Sequence, residues 1–129
     1  MPKITTFLWF NDQADDAASF YTSVFKKNSK VGEITRWGDS GPPGSKGSVL
    51  TVEFELDGQE YVAMNGGPVV TFNDAISLQI DCETQEEVDY YWEHLAEGGE
   101  TRVCGWLKDR YGLSWQVTPK ILPKMLKDK

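Results

Sequence analysis

A chain of 129 residues and 14.6 kDa has room for one domain with a sizeable core, and 40% hydrophobic with 12% aromatic residues excludes a disordered or low-complexity protein. Thirteen Lys and Arg against twenty Asp and Glu leave a net charge of −7, whose field repels polyanions and argues against nucleic acid and anionic membrane as partners. No apolar run approaches the ~20 residues that span a bilayer, and the first residues lack the pattern of a signal peptide, so a cytoplasmic protein is expected, with Cys82 and Cys104 as free, packing cysteines.

The chain opens with "KITTFLWF", rich in β-branched and aromatic residues and read as a strand. In "DQADDAASFYTSVF" that follows, Ala14, Ala17, Tyr21, Val24 and Phe25 recur at helical spacing, so the segment predicts an amphipathic helix capped by Asp12. Three strands are predicted next: "KVGEITRW", "SVLTVEFEL" and, after the Asp57-Gly58 hairpin signal, "QEYVAMN". The second half repeats the opening, with "AISLQIDC" as a strand and "TQEEVDYYWEHLAEGG" as a helix. Thr84 and Glu87 form its capping box, Val88, Tyr91, Trp92 and Leu95 its buried stripe, and Gly98-Gly99 its stop. "CGWLKDRYGLSWQVTP" predicts a closing hairpin, and residues 120–129 a short basic tail. An offset of 72 aligns Ile4 with Ile76, Asp12 with Thr84, Gln13 with Gln85 and Phe20 with Trp92, the mark of a duplicated unit.

Strand alternation separates core from site. Ile76, Leu78 and Ile80 share one face and Ser77, Gln79 and Asp81 the other. In the last strand, Trp115 and Val117 face a helix while Ser114, Gln116 and Thr118 face away. In "SVLTVEFEL" the same parity places Glu53 on a polar face. It is a candidate general base if that face is enclosed and an ordinary exposed glutamate if it meets water. Trp9, Trp92 and Trp115 are expected in the core, whereas Trp37 and Trp106 could each flank a pocket. Asn65 with Gly66-Gly67 reads either as a strand end or as a place where backbone approaches a ligand. His94, the lone histidine, lies on the second helix, outside the polar strand faces.

On "TFLWFNDQADDAASFYTSVF", "MNGGP", "EGGE" and "CGWLKDRYGLSWQVTP", nearly the whole chain resembles the PhnB-like family, often labelled 3-demethylubiquinone-9 3-methyltransferase, of the vicinal oxygen chelate superfamily of glyoxalases, bleomycin-resistance proteins and extradiol dioxygenases. The resemblance implies an α+β fold of paired βαβββ modules, residues 1–70 and 71–119 of a single domain, with curled mixed sheets and helices outside. It also implies a homodimer and a small-molecule ligand bound in a sheet-lined cavity. Thr6, Tyr61, Asn65, Ser77, Gln79 and Gln116 are the expected lining. Metal-dependent members carry His, Gln or Glu at four strand positions, which match Thr6, Tyr61, Ala75 and Gln116 here. Only Gln116 keeps a ligating type, so the ligand set for a divalent metal is incomplete and no metal or cofactor is predicted. The label names a methyl transfer, but no Gly-rich strand-to-helix turn for S-adenosylmethionine occurs. Two function classes follow: a module that binds a small molecule unchanged, or an enzyme. The enzyme would be the labelled methyltransferase or a lyase or isomerase that recruits a metal through Gln116, and Gln116 and Glu53 are its catalytic candidates.

Overall fold

In the computed structural model, residues 3–119 are described; the predicted tail, 120–129, lies outside them. The chain divides into two compact units, Met1–Thr71 and Phe72–Lys129. No helix among the described residues is long and apolar enough to cross a membrane.

The first unit runs β1 (Thr6–Phe10), α1 (Ala14–Val24), β2 (Lys30–Arg36), β3 (Val49–Leu56) and β4 (Gln59–Asn65). Its sheet has the order β1-β4-β3-β2, with β1 parallel to β4 and the other pairs antiparallel. The β3–β4 hairpin turns at Asp57 (φ 49°) and Gly58 (φ 82°), the two left-handed residues of a type I′ turn. The small residues Ala14, Ala17 and Ala18 let α1 lie close against β3 and β4, and Tyr21 stacks on Phe54, which stacks on Tyr61. Leu8, Phe10, Val52, Phe54 and Leu56 complete this core, each large side chain contributing about 1.5–3 kcal/mol. β2 is exposed along its whole length and bulged between Val31 and Ile34, with Lys30, Glu33 and Arg36 guarding the open edge.

The second unit repeats the plan: β5 (Ser77–Cys82), α2 (Gln85–Ala96), β6 (Glu100–Thr101), β7 (Trp106–Lys108) and β8 (Ser114–Pro119), in sheet order β5-β8-β7-β6. β6 is too short to leave a pattern in the sequence. It is joined to β7 by a second turn of two left-handed residues, Cys104 (φ 58°) and Gly105 (φ 81°). This removes Cys104 from the core: its thiol is exposed, whereas Cys82 is buried as expected. Gly99 is required for another reason, because a Cβ there would stand 2.0 Å from the Lys108 carbonyl oxygen.

The "KDRYGLSW" hairpin is built around Asp109, only 2% exposed. Its carboxylate accepts hydrogen bonds from Tyr111 N at 2.9 Å, Leu113 N at 3.1 Å and the Trp115 indole at 2.8 Å. A buried carboxylate with three donors is stable where an unpaired one is not.

Two expectations need correction. The α1 N-cap is Gln13, with no side-chain cap of its own, and Asp12 does not cap it; the side-chain Oδ1 of Asn65 on β4 accepts from Ala14 N at 2.8 Å instead. The duplicated units also keep two offsets. The N-caps Gln13 and Thr84 are 71 apart, which matches Ala17, Tyr21 and Val24 to Val88, Trp92 and Leu95, so Tyr21 and not Phe20 is the counterpart of Trp92. The strands keep 72, with Leu8 and Phe10 matching Ile80 and Cys82. The connection between strand and helix is therefore one residue longer in the first unit.

Candidate functional site

Each sheet carries its helix on one face, and the functional question is what stands on the other. In the second unit the helix-free face is hydrogen-bonded and polar. Gln79 and Gln116 are partners in the parallel β5–β8 register, and Ser77 stands opposite Ser114. Gln116 Nε2 donates to Ser77 Oγ at 2.9 Å. Gln79 Nε2 donates to Asp81 Oδ1 at 2.9 Å and to Thr118 Oγ1 at 3.1 Å. The Asp81 carboxylate fixes which end of Gln79 is the amine, so its carbonyl oxygen is left without a partner among the described residues. Gln116 likewise presents whichever end of its amide the Ser77 hydroxyl does not take. Trp106 follows on β7, in register with Gln116. Beyond Ser114, Asp74 accepts from Arg102 at 2.6 Å and from Ser114 at 3.2 Å, and the Arg102 hydrogen bond, chiefly, holds its carboxyl below the usual range.

The equivalent face of the first unit has a different chemistry. Phe7, Val62 and Glu53 stand side by side on β1, β4 and β3. Phe7 is 60% exposed although it lies in mid-strand. Thr5, Glu60, Glu55 and Lys30 flank this row, and together with Lys3 and Gly32 they line a cleft of about 340 Å³. Lys3 pairs with Glu60. The hydrogen bond and charge of Glu60 raise the pKa of the Lys3 ammonium, and the charges of Glu53 and Glu55 act in the same direction.

The six expected lining residues do not lie together. Ser77, Gln79 and Gln116 share the helix-free face of the second sheet, with the hydrogen bonds just given. Thr6, Tyr61 and Asn65 fall on the α1 side of the first sheet, because they share the parity of Leu8, Phe10 and Ala63. Tyr61 reaches the edge of the 340 Å³ cleft with its ring stacked on Phe54, and burial raises its pKa. Asn65 has both ends of its amide engaged, one by Ala14 N and the other by the Val49 carbonyl. With Trp37, Asn11, Asp12 and Asp15 it lines a shallower cleft of about 360 Å³. Ala75 precedes β5 and is exposed. Trp9, expected in the core, stands half-buried on the helix-free face. Its indole donates to the Gly67 carbonyl at 2.9 Å and its ring fills the space a Cβ on Gly66 would need. Glu53 is exposed and also faces away from α1. The His94 ring lies tilted against that of Tyr90, their centroids 4.2 Å apart, with its Nδ1 at 2.8 Å from the Tyr90 carbonyl oxygen. Phe7 and Val62 were missed in the sequence. Counting two residues back from Trp9 on the right face would have found Phe7.

No three His, Cys, Asp or Glu side chains converge on a metal position among the described residues. The second sheet's face offers amides, hydroxyls and the one carboxylate of Asp81, which is engaged by Gln79, a set that does not fit a first-row divalent ion. The strand-to-helix connections, Asn11–Gln13 and Glu83-Thr84, contain no glycine and do not fit the phosphate- or cofactor-cradling turn of a dinucleotide-type site.

Two βαβββ units with one strand order, each with a helix on one face of its sheet, define the α+β fold class of the vicinal oxygen chelate superfamily. A family model described as 3-demethylubiquinone-9 3-methyltransferase matches residues 2–118, and the chain belongs to that PhnB-like family. Among solved structures, the chain is 38% identical to the PhnB protein of Bacillus cereus, which carries the same methyltransferase name, over 92% of this chain and 99% of that one, with a TM-score of 0.77. Protein PA1353 of Pseudomonas aeruginosa is 19% identical over 93% and 98% of the two chains, with a TM-score of 0.74. The fosfomycin resistance protein FosX of Mesorhizobium loti is 13% identical over 98% and 97%, with a TM-score of 0.67. The last two share the fold. No curated protein matches the chain.

Proposed function

We propose that the protein binds a small organic molecule on the helix-free face of its second sheet and releases it unchanged. The observation that carries this reading is the row Gln79–Gln116–Trp106: two amides held in place by Ser77, Asp81 and Thr118, next to an indole on the neighbouring strand. Fixed amides match hydrogen-bonding groups of a neutral ligand, and the indole supplies a flat apolar wall. The same row contains no acid, base or nucleophile, and its two amides fall short of the three or four ligands that a divalent metal takes. By resemblance to its family the protein is also proposed to be a cytoplasmic homodimer.

Native mass spectrometry of the freshly purified protein tests the reading, followed by a fragment titration observed through the amide resonances of Ser77, Gln79, Trp106 and Gln116. The expected result is a saturable ligand, recovered chemically intact, that Gln116→Ala weakens about tenfold by removing one of its hydrogen bonds. Methyl transfer from S-adenosylmethionine, or turnover abolished by a chelator, would instead establish the enzyme reading that the family description suggests.

A further inference from the structure

The cleft on the first sheet lies outside that reading and has its own chemistry. Its floor is one row across three strands, Phe7, Val62 and Glu53, set by the register of β1 with β4 and of β4 with β3. Neighbouring strands are about 4.8 Å apart, so the Phe7 ring and the Glu53 carboxylate rise about 10 Å apart on either side of Val62. Gly32 on β2 ends the row. Its Cβ-less backbone sits beside Glu53, where an added Cβ would be 3.3 Å from the Glu53 carbonyl oxygen.

The charges at the rim are unequally used. Lys3 is engaged by Glu60, and Lys30 stands opposite Glu55 in the β2–β3 register. Glu53 has no hydrogen bond or ion pair among the described residues. An anion entering the cleft would meet three carboxylates against two ammoniums, of which Lys3 is already paired with Glu60 and Lys30 stands opposite Glu55. A neutral apolar molecule would cover Glu53 without giving it a partner, which is costly for a carboxylate. A cation with an apolar surface avoids both penalties, because an aromatic face attracts a cation through its quadrupole and a carboxylate attracts it through its charge. We infer that the first sheet's cleft binds an organic cation of the quaternary or tertiary ammonium class, seated over Val62 between the ring of Phe7 and the carboxylate of Glu53.

Choline and its uncharged isostere 3,3-dimethylbutan-1-ol are the probes, titrated into the ¹⁵N-labelled full chain. Choline is expected to give saturable shifts at the amides of Phe7, Glu53 and Val62, and the isostere to bind about fivefold more weakly or worse. Glu53→Gln, an exposed change of charge without change of shape, should weaken choline by a similar factor, as should Phe7→Leu, while Gln116→Ala leaves it unchanged. Equal binding of the two probes overturns the inference, even if a variant fails to fold. So do shifts confined to other residues, or choline affinity unaffected by Glu53→Gln. Loss of choline binding in Gln116→Ala would place the cation on the second sheet instead. The second-sheet reading is tested by other residues, so either proposal can fail alone.

Discussion

The two cysteines show how one residue type takes opposite chemistry from its surroundings. Cys104 sits in a left-handed turn with its thiol exposed, while Cys82 ends β5 under α2 and is buried. Burial, with the nearby charges of Glu87 and Asp81 adding to it, pushes the Cys82 thiol up to about 11 from an ordinary 9.0. At neutral pH a thiol reagent should therefore label one cysteine per native chain, Cys104→Ser should remove that reaction, and Cys82 should react only on unfolding. The linkage has a definite sign. The folded chain holds the Cys82 proton where the unfolded chain has lost it, so stability is whole below about pH 9 and falls between about 9 and 11, by about 2 kcal/mol. Urea titrations across that window should show the slope in the wild type and not in Cys82→Ala. Only part of this was legible in the sequence: the free state of both thiols follows from their number and separation, but the exposure of Cys104 depends on a turn formed by a two-residue strand, β6, that leaves no periodic signal.

At the scale of elements, the two helices begin by different devices. In α2 the Thr84 hydroxyl accepts from Glu87 N at 3.1 Å, and the Glu87 carboxylate accepts from Glu83 N at 2.7 Å. Every partner lies within four residues, which is why this cap was readable from the sequence. α1 has no such local cap and uses Asn65, 51 residues away, whose amide also donates to the Val49 carbonyl at 3.2 Å. Contacts of that range come from topology and leave no mark on spacing, so Asp12 looked like the cap. It also explains why Asn65, read as a ligand residue, is occupied within its own unit. Thr84→Ala should cost about 1 kcal/mol in urea denaturation, with faster amide exchange confined to the first turn of α2. Asn65→Ala should cost more, about 2–3 kcal/mol, because it removes a half-buried acceptor and donor that tie α1 to β4 and β3. A smaller loss than Thr84→Ala would show that water replaces Asn65 at no disadvantage.

At the scale of the whole molecule, duplication made the fold legible and also misled the search for the site. Strand-helix starts and hairpin signals were enough to give the first βαβββ unit and the strand, helix and closing hairpin of the second, since periodicity and turn residues are local; the second unit's β6 followed only from the family resemblance. A single offset of 72, however, hides the extra residue before α1. The matched ligand position of the family was placed at Thr6, on the α1 side; the strand offset pairs Phe7 with Gln79, and the parallel registers of β1 with β4 and of β5 with β8 then pair Val62 with Gln116, so the helix-free rows of the two units are equivalent in place and opposite in character. Repetition also leaves apolar residues at matching edges. Ile4 is 90% exposed just before β1 and Ile76 73% exposed just before β5, and β1 and β5 are each the edge strand of their sheet. If the protein pairs as proposed, such apolar groups near open edges are the ones a partner copy would cover. Sedimentation equilibrium should then give twice 14.6 kDa at micromolar concentration. The double variant Ile4→Lys with Ile76→Lys should shift the equilibrium to monomer at least tenfold while circular dichroism and the urea midpoint of the monomer stay in place. A wild type that sediments as a monomer at all concentrations would end the dimer proposal, and a dimer indifferent to both lysines would move the interface away from these edges.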